Sequence, residues 1–127
     1  MLPKELSYTR EHEWLKVSDE NMVIIGITDY AQEELGDITF VELPEVGQVI
    51  SGGDSPVTLE SVKAVSSVYS PAAGEIIEVN SRLDDEPELI NESPYTDGWI
   101  FKIRITGAMI TPLLSPGEYQ EFIDSLD

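Results

Sequence analysis

The sequence predicts a mainly β domain, a small sandwich or barrel, on two observations. Short segments rich in β-branched and aromatic residues recur at regular spacing, with Pro44, Gly47, Gly52, Gly53, Pro71 and Gly74 between them. Helix-forming material is minor and sits mainly in two places. Taken in order, "MVIIGI" at 22–27 is β-branched and almost continuously apolar, which suits a strand covered on both faces or at the edge of a core. "DYAQEELG" follows, offering Asp29 as a cap, good helix formers and a closing Gly36, and predicts a short helix near 29–35. Strands are expected at 38–43, 47–52, 56–61, 64–70 and 74–80. "RLDDEPELINES" reads as a polar connection with a helical turn at 87–91. In "WIFKIRI", Trp99, Phe101, Ile103 and Ile105 fall on one side and Lys102 and Arg104 on the other, the alternation of a half-buried strand. Finally, "SPGEYQEFIDSL" places Tyr119, Phe122, Ile123 and Leu126 on one helical face after Ser115 and Pro116, predicting a C-terminal helix packed on the sheet.

A chain of 127 residues without a low-complexity linker suits one apolar core, so a single domain spanning 1–127 is expected. Hydrophobic residues make up 41% of it, enough for a packed interior, which leaves the charge on the surface. Seven Lys and Arg face twenty-five Asp and Glu, a formal net charge of -18. A field of that sign repels phosphate backbones and lipid headgroups, which argues against nucleic acid and membrane surfaces as partners. It favours partners with basic patches, held less tightly as salt rises. Cysteine is absent, which excludes disulfides, thiol catalysis and thiolate metal sites. The start, "MLPKELSYTR", has no charged and then apolar leader, and no apolar run approaches a membrane span, so a soluble intracellular protein is expected.

Within this acidic chain no Lys or Arg other than Lys63 occurs between Lys16 and Arg82. A lone lysine is ordinarily a solubilising surface charge. Here Gly53 lies ten residues before it and Gly74 eleven after, with strand-type residues on both arms, so Lys63 falls at the tip of a hairpin. A tight turn carries its side chain away from the sheet, and small Ser61 and Ala64 keep the approach open. An amine on a rigid protrusion, with no competing lysine nearby and an anionic surface for partners to hold, is what a swinging-arm carrier requires.

The string "ESVKAVSSVYSPAAGEIIEVN" resembles the lipoyl-attachment segment of the glycine cleavage system H proteins. "YTREHEW", "VIIGITDYAQEELGDITFVELPEVG", "PELIN" and "PYTDGWIFKIRI" are similar to the same family in the same order, so the resemblance covers most of the chain. It implies a lipoyl/biotinyl-type barrel-sandwich hybrid and a non-catalytic shuttle in which Lys63 bears lipoic acid as lipoyllysine. By this resemblance a pyridoxal-phosphate glycine decarboxylase loads the aminomethyl group of glycine onto the arm. A tetrahydrofolate-dependent aminomethyltransferase removes it, dihydrolipoamide dehydrogenase reoxidises the dithiol, and a lipoate ligase or lipoyltransferase attaches the cofactor. The location implied is cytoplasmic, or the mitochondrial matrix after removal of a transit peptide. Glu60 and Ser61 match the side of the turn that the modifying enzyme recognises, and Glu13 matches a residue lining the cleft that shelters the loaded arm. Glu34 stands where some members have histidine and Ser67 where aspartate is common, both beside that cleft. A closely related H-like relay, serving other lipoate-dependent complexes, would carry the same hairpin. A biotin carrier is disfavoured by Val62 and Ala64, because methionines usually flank that lysine, and an unmodified interaction module is the third alternative.

Other constellations point to structure. His12 is the one histidine, which leaves no material for a Ser/His/Asp triad or a multi-histidine metal site and suits a structural or cleft-edge role. "LDDEPE" at 83–88 lacks the alternating ligands and glycine of a calcium loop and reads as a solvated acidic face, so no metal is assigned. Gly52, Gly53 and Asp54 form a turn without the sequel of a phosphate loop. Trp14, Trp99 and Phe101 are expected to pack in the core.

Overall fold

The computed structural model describes residues 2–18 and 21–126, so Met1, Asp19, Glu20 and Asp127 of the expected domain lie outside the described residues. The chain forms two antiparallel sheets around one core, which bears out the mainly β class and the barrel-sandwich arrangement. Strands β1 (Ser7–Tyr8), β2 (Glu13–Val17), β3 (Met22–Ile27), β5 (Val49–Ile50), β8 (Gly74–Val79) and β9 (Phe101–Ile105) make a six-stranded sheet in the order β1-β2-β3-β9-β8-β5. The other sheet has three strands, β4 (Ile38–Glu42), β6 (Val57–Ser61) and β7 (Val65–Val68), in the order β4-β6-β7. The principal hydrophobic cluster draws on both sheets, joining Leu15, Ile25, Ile76, Phe101 and Ile103 of the first to Val41, Val57, Leu59 and Val68 of the second. Burial of that apolar area is the main stabilising term, since it removes surface from water without leaving backbone groups unpaired.

A second cluster, Leu6, Tyr8, Trp14, Leu114 and Tyr119, covers the opposite face of β1 and β2. Strand β2 is therefore buried on both faces at Trp14 and Leu15 and shows no period-2 alternation, which is why periodicity alone did not predict it. Trp14 lies opposite Gly26 across the β2–β3 ladder, and a Cβ on Gly26 would come within 2.5 to 2.6 Å of the indole ring. Glycine is required there by close approach.

The helices appear where expected, with local corrections. Helix α1 (Asp29–Leu35) is capped by Thr28, one residue before the expected Asp29. The Thr28 hydroxyl accepts from the amide of Ala31 at 3.2 Å, while Asp29 occupies the first turn, where its charge favours the positive end of the helix. The turn expected at 87–91 is helix α2 (Leu89–Glu92), preceded by a 3-10 turn at Ser81–Asp84. Helix α3 (Pro116–Asp124) begins with a capping box between Ser115 and Glu118 and buries Tyr119 fully, with Phe122 and Ile123 packed beside it. Leu126 instead lies beyond the helix and is 48% exposed. The strand expected at 47–52 is only β5, two residues long. Strand β9 starts at Phe101, so Trp99 precedes it and packs half-buried with the second cluster rather than sharing the core with Phe101 and Ile103. No described helix is long and apolar enough to cross a membrane.

Candidate functional site: the lysine hairpin and the recess beside it

Strands β6 and β7 pair antiparallel from Val57↔Val68 to Glu60↔Val65, which leaves Ser61 to Ala64 as the connection and Lys63 at its tip. One side chain organises this turn. The Ser61 hydroxyl oxygen accepts from the amides of Lys63 at 3.2 Å and Ala64 at 3.1 Å, and the Ser61 amide donates to the Ala64 carbonyl at 2.9 Å. A serine bonding the backbone two and three residues on is a local turn device, and it fixes the path of the lysine backbone. The tip is also tied sideways, because the amide of Val62 donates to the carbonyl of Asp37 at 3.1 Å in the link between α1 and β4.

Lys63 itself is exposed. Its stem passes Gly36, whose φ is 79°; a Cβ there would lie 3.5 Å from the Lys63 Cε and 3.3 Å from a Val62 methyl. The tip leans on the C-terminus of α1 by its carbon atoms, while no burial removes the amine from solvent. A primary amine that is accessible and carried on a pinned backbone fits N-acylation by an enzyme. Glu60 is exposed at the preceding strand position, and its carbonyl accepts from the Thr39 hydroxyl at 3.2 Å.

Glu34 and Ser67 come together in a recess of about 270 Å³, whose walls include His12, Tyr30, Leu59 and Ser66. Leu59 and Ser66 stand opposite each other on the hairpin arms, four residues before and three after Lys63. At strand rise that is about 10–14 Å along the hairpin from the lysine. Glu13 does not line this recess. It belongs to a neighbouring one of about 260 Å³ with Tyr69 and Ile110, and Glu11 borders both. Only 2% of Glu13 is exposed. Its carboxylate accepts from the Tyr69 amide at 2.6 Å and from the Thr9 hydroxyl at 3.2 Å, tying β2 to the chain just after β7. Burial pushes this carboxyl up to about 7, and the bonds from Tyr69 and Thr9 offset only part of that.

The network behind the recess was not legible in the sequence. His12 has φ 65° and sets its Nδ1 2.9 Å from the Tyr119 hydroxyl, which is also 2.7 Å from the hydroxyl of Thr28. One phenol of α3 thereby joins the cap of α1 to the recess wall. Burial lowers the pKa of the imidazole from its usual value. Asn91 of α2 does similar work under the hairpin tip, donating to the Gly36 carbonyl and the Gln32 side chain, each at 2.9 Å, and accepting from the Ile38 amide at 2.9 Å. The available signal for Asn91 was its place in "PELIN"; for the tyrosine it was only helical spacing.

Comparison with known proteins is decisive for the family. The model of the glycine cleavage H-protein family matches residues 6–126. The chain belongs to this family. A glycine cleavage system H protein from Listeria welshimeri is 54% identical over 124 residues, covering 97% of this chain and 98% of that one. Its counterpart in Alcanivorax borkumensis is 50% identical over 125 residues, covering 98% and 97%. The crystal structure of a glycine cleavage system H protein from Mycobacterium marinum superposes with a TM-score of 0.90 at 39% identity, covering 97% of this chain and 99% of that chain. The H-protein framework therefore extends over both sheets and the three helices of this chain, from which the lysine hairpin projects.

Proposed function

We propose that the chain is a single-domain, non-catalytic lipoyl carrier of the glycine cleavage system, with lipoate in amide linkage on Lys63. The observation that carries this reading is the exposed Lys63 amine on a turn pinned by Ser61 and by the carbonyl of Asp37. Lipoate, when attached, supplies the redox-active disulfide that takes up the one-carbon unit. The chain's own residues hold, present and shelter. Ser61 fixes the attachment turn, and Glu60 with Ser61 forms the surface read by the lipoate ligase or lipoyltransferase. The recess of Glu34 and Ser67 provides a resting place that limits water around the loaded arm. Glu13 lies outside that recess, and its buried carboxyl, bonded to the Tyr69 amide and the Thr9 hydroxyl, braces the wall between the two recesses. The carrier passes the aminomethyl group of glycine from the decarboxylase to the aminomethyltransferase, then presents the reduced arm to dihydrolipoamide dehydrogenase. Tethering raises the local concentration of the arm at each partner without any new contact. A cytoplasmic location belongs to the same reading.

Reconstituted glycine/bicarbonate exchange tests it. The lipoylated chain is expected to support exchange with glycine decarboxylase and the Lys63→Arg chain to give none. A chain that is lipoylated on Lys63 yet supports no exchange would be a relay to other lipoate-dependent complexes.

A further inference from the structure

The outer face of the three-stranded sheet carries apolar side chains that the core does not use. Phe40 of β4 is paired with Glu60 of β6, and Glu60 with Val65 of β7, so the three stand abreast on one face. The row behind them, Val41 and Leu59, faces the interior and is buried. Phe40 is nevertheless 49% exposed and Val65 69%, and Val62 beside Lys63 is 66% exposed. A half-exposed phenylalanine and an exposed valine on either side of Glu60, with exposed Val62 at the adjoining turn, is an unusual concentration for so acidic a surface, and such patches rimmed by polar groups mark contact sites. The rim here is anionic: Glu60 lies inside the row and Glu42 follows on the same face of β4.

Resting on the reading of Lys63 as the attachment site, we propose that the Phe40–Glu60–Val65 row is the docking strip for the enzyme that acylates Lys63. That partner would present an apolar shelf bordered by lysine or arginine. The charge complement is dictated by the chain, which has no Lys or Arg other than Lys63 between Lys16 and Arg82. The choice among partners follows from reach. Enzymes that act on the finished cofactor meet it at the end of a long arm. The acylating enzyme must bring the unmodified amine itself to its own reacting atoms, and so must cover the strands beside it. Val65 is two residues after Lys63, Glu60 three before, and Phe40 directly across the ladder. The apolar members supply adhesion, while Glu60 supplies register and the salt dependence of encounter.

The test uses the full apo chain with lipoate ligase, ATP and lipoate, following acylation by intact mass. Val65→Thr and Phe40→Ser are each expected to lower kcat/KM by about tenfold or more, through KM, with melting temperatures within about 2 °C of the unsubstituted chain, as for exposed positions. Glu60→Lys is expected to lower kcat/KM and to flatten its decline with salt. Variants driven to full lipoylation with excess ligase are expected to support glycine/bicarbonate exchange within twofold of the parent. Because Val65 is exposed, a loss there cannot be put down to unfolding, and unchanged acylation kinetics in Val65→Thr would overturn the strip. So would normal acylation with selective loss of exchange, which would assign the row to the decarboxylase. Failure of the parent chain to be acylated on Lys63 at all would instead remove the carrier reading beneath it.

Discussion

The central strands of the six-stranded sheet and the strands of the three-stranded sheet treat their large apolar residues differently, although Val17 and Val49 at the margins of the larger sheet are exposed as well. In the six-stranded sheet Val23, Ile25, Ile76, Phe101 and Ile103 lie in the core and Trp14 is covered on the other face, so large side chains of the central strands are spent on packing. In the three-stranded sheet Val41, Val57, Leu59 and Val68 face inward, while Phe40, Val65 and Lys63 face solvent. One sheet is scaffold and the other a platform resting on it. The difference teaches that exposure in the platform is not lax packing, since its inner face is as dry as that of the scaffold.

The sharpest way to break this division is at the platform's tip. Lys63→Arg keeps charge and exposure but offers a guanidinium instead of a primary amine. Lipoylation by ligase, read by intact mass, is expected to vanish while thermal unfolding stays unchanged; a large drop in melting temperature would mean that the lysine is structural. Next in size, Phe101→Ala in the scaffold is expected to cost about 3–5 kcal/mol in urea denaturation, from lost transfer energy and the cavity left behind. Phe40→Ala in the platform should cost far less, about 0.5 kcal/mol, the upper limit for surface substitutions. Equal costs would abolish the distinction.

Glu13 joins the two regions, and its titration gives the third prediction. Its folded-state pKa is raised from 4.5 to about 7, so the folded form keeps a proton that the unfolded chain has already released. Stability from this group is thus full below about pH 4.5 and is lost as pH rises through about 7. Glu13→Gln holds a neutral group at the same bonds and is expected to remove that loss, on the order of 2–3 kcal/mol over the interval. Urea unfolding of both chains at pH 4.5 and 7.5 measures it, and parallel pH profiles would contradict the assignment. A smaller effect than at Glu13 is expected at Ser61→Ala, which withdraws the acceptor for two turn amides that solvent can partly satisfy. A loss of about 1 kcal/mol is expected, with hydrogen exchange at Lys63 and Ala64 accelerated more than elsewhere.

The hairpin was legible because its signals are local: glycines and prolines bound it, β-branched residues fill its arms, and one lysine stands between them. Helix α3 was legible for a similar reason, since Ser115 and Pro116 mark its start and the apolar residues after them keep helical spacing. What escaped notice depends on contacts distant in sequence. Thr28 and Asp29 are both good caps, and Thr28 takes the role with its hydroxyl 2.7 Å from Tyr119, 91 residues away. Strand β2 is hidden because both of its faces are covered. Trp99 alternates correctly with Phe101 yet lies before the strand, where alternation no longer assigns a face. At the candidate site, the hairpin spacing put Lys63 at a tip and the family resemblance suggested its role, and the structure places Glu34 and Ser67 on one recess. That Glu13 sits instead beneath Tyr69 depends on how the chain leaves β7, which no residue pattern near Glu13 encodes.

The central claim is that the Lys63 amine is the single point at which this acidic scaffold accepts its cofactor. Intact-mass analysis of the full chain after incubation with lipoate ligase, followed by peptide mapping, tests it most directly. One lipoyl group per chain, confined to the peptide containing Lys63, is the expected result. An unmodified chain, or an adduct on Lys4, Lys16 or Lys102, would contradict it.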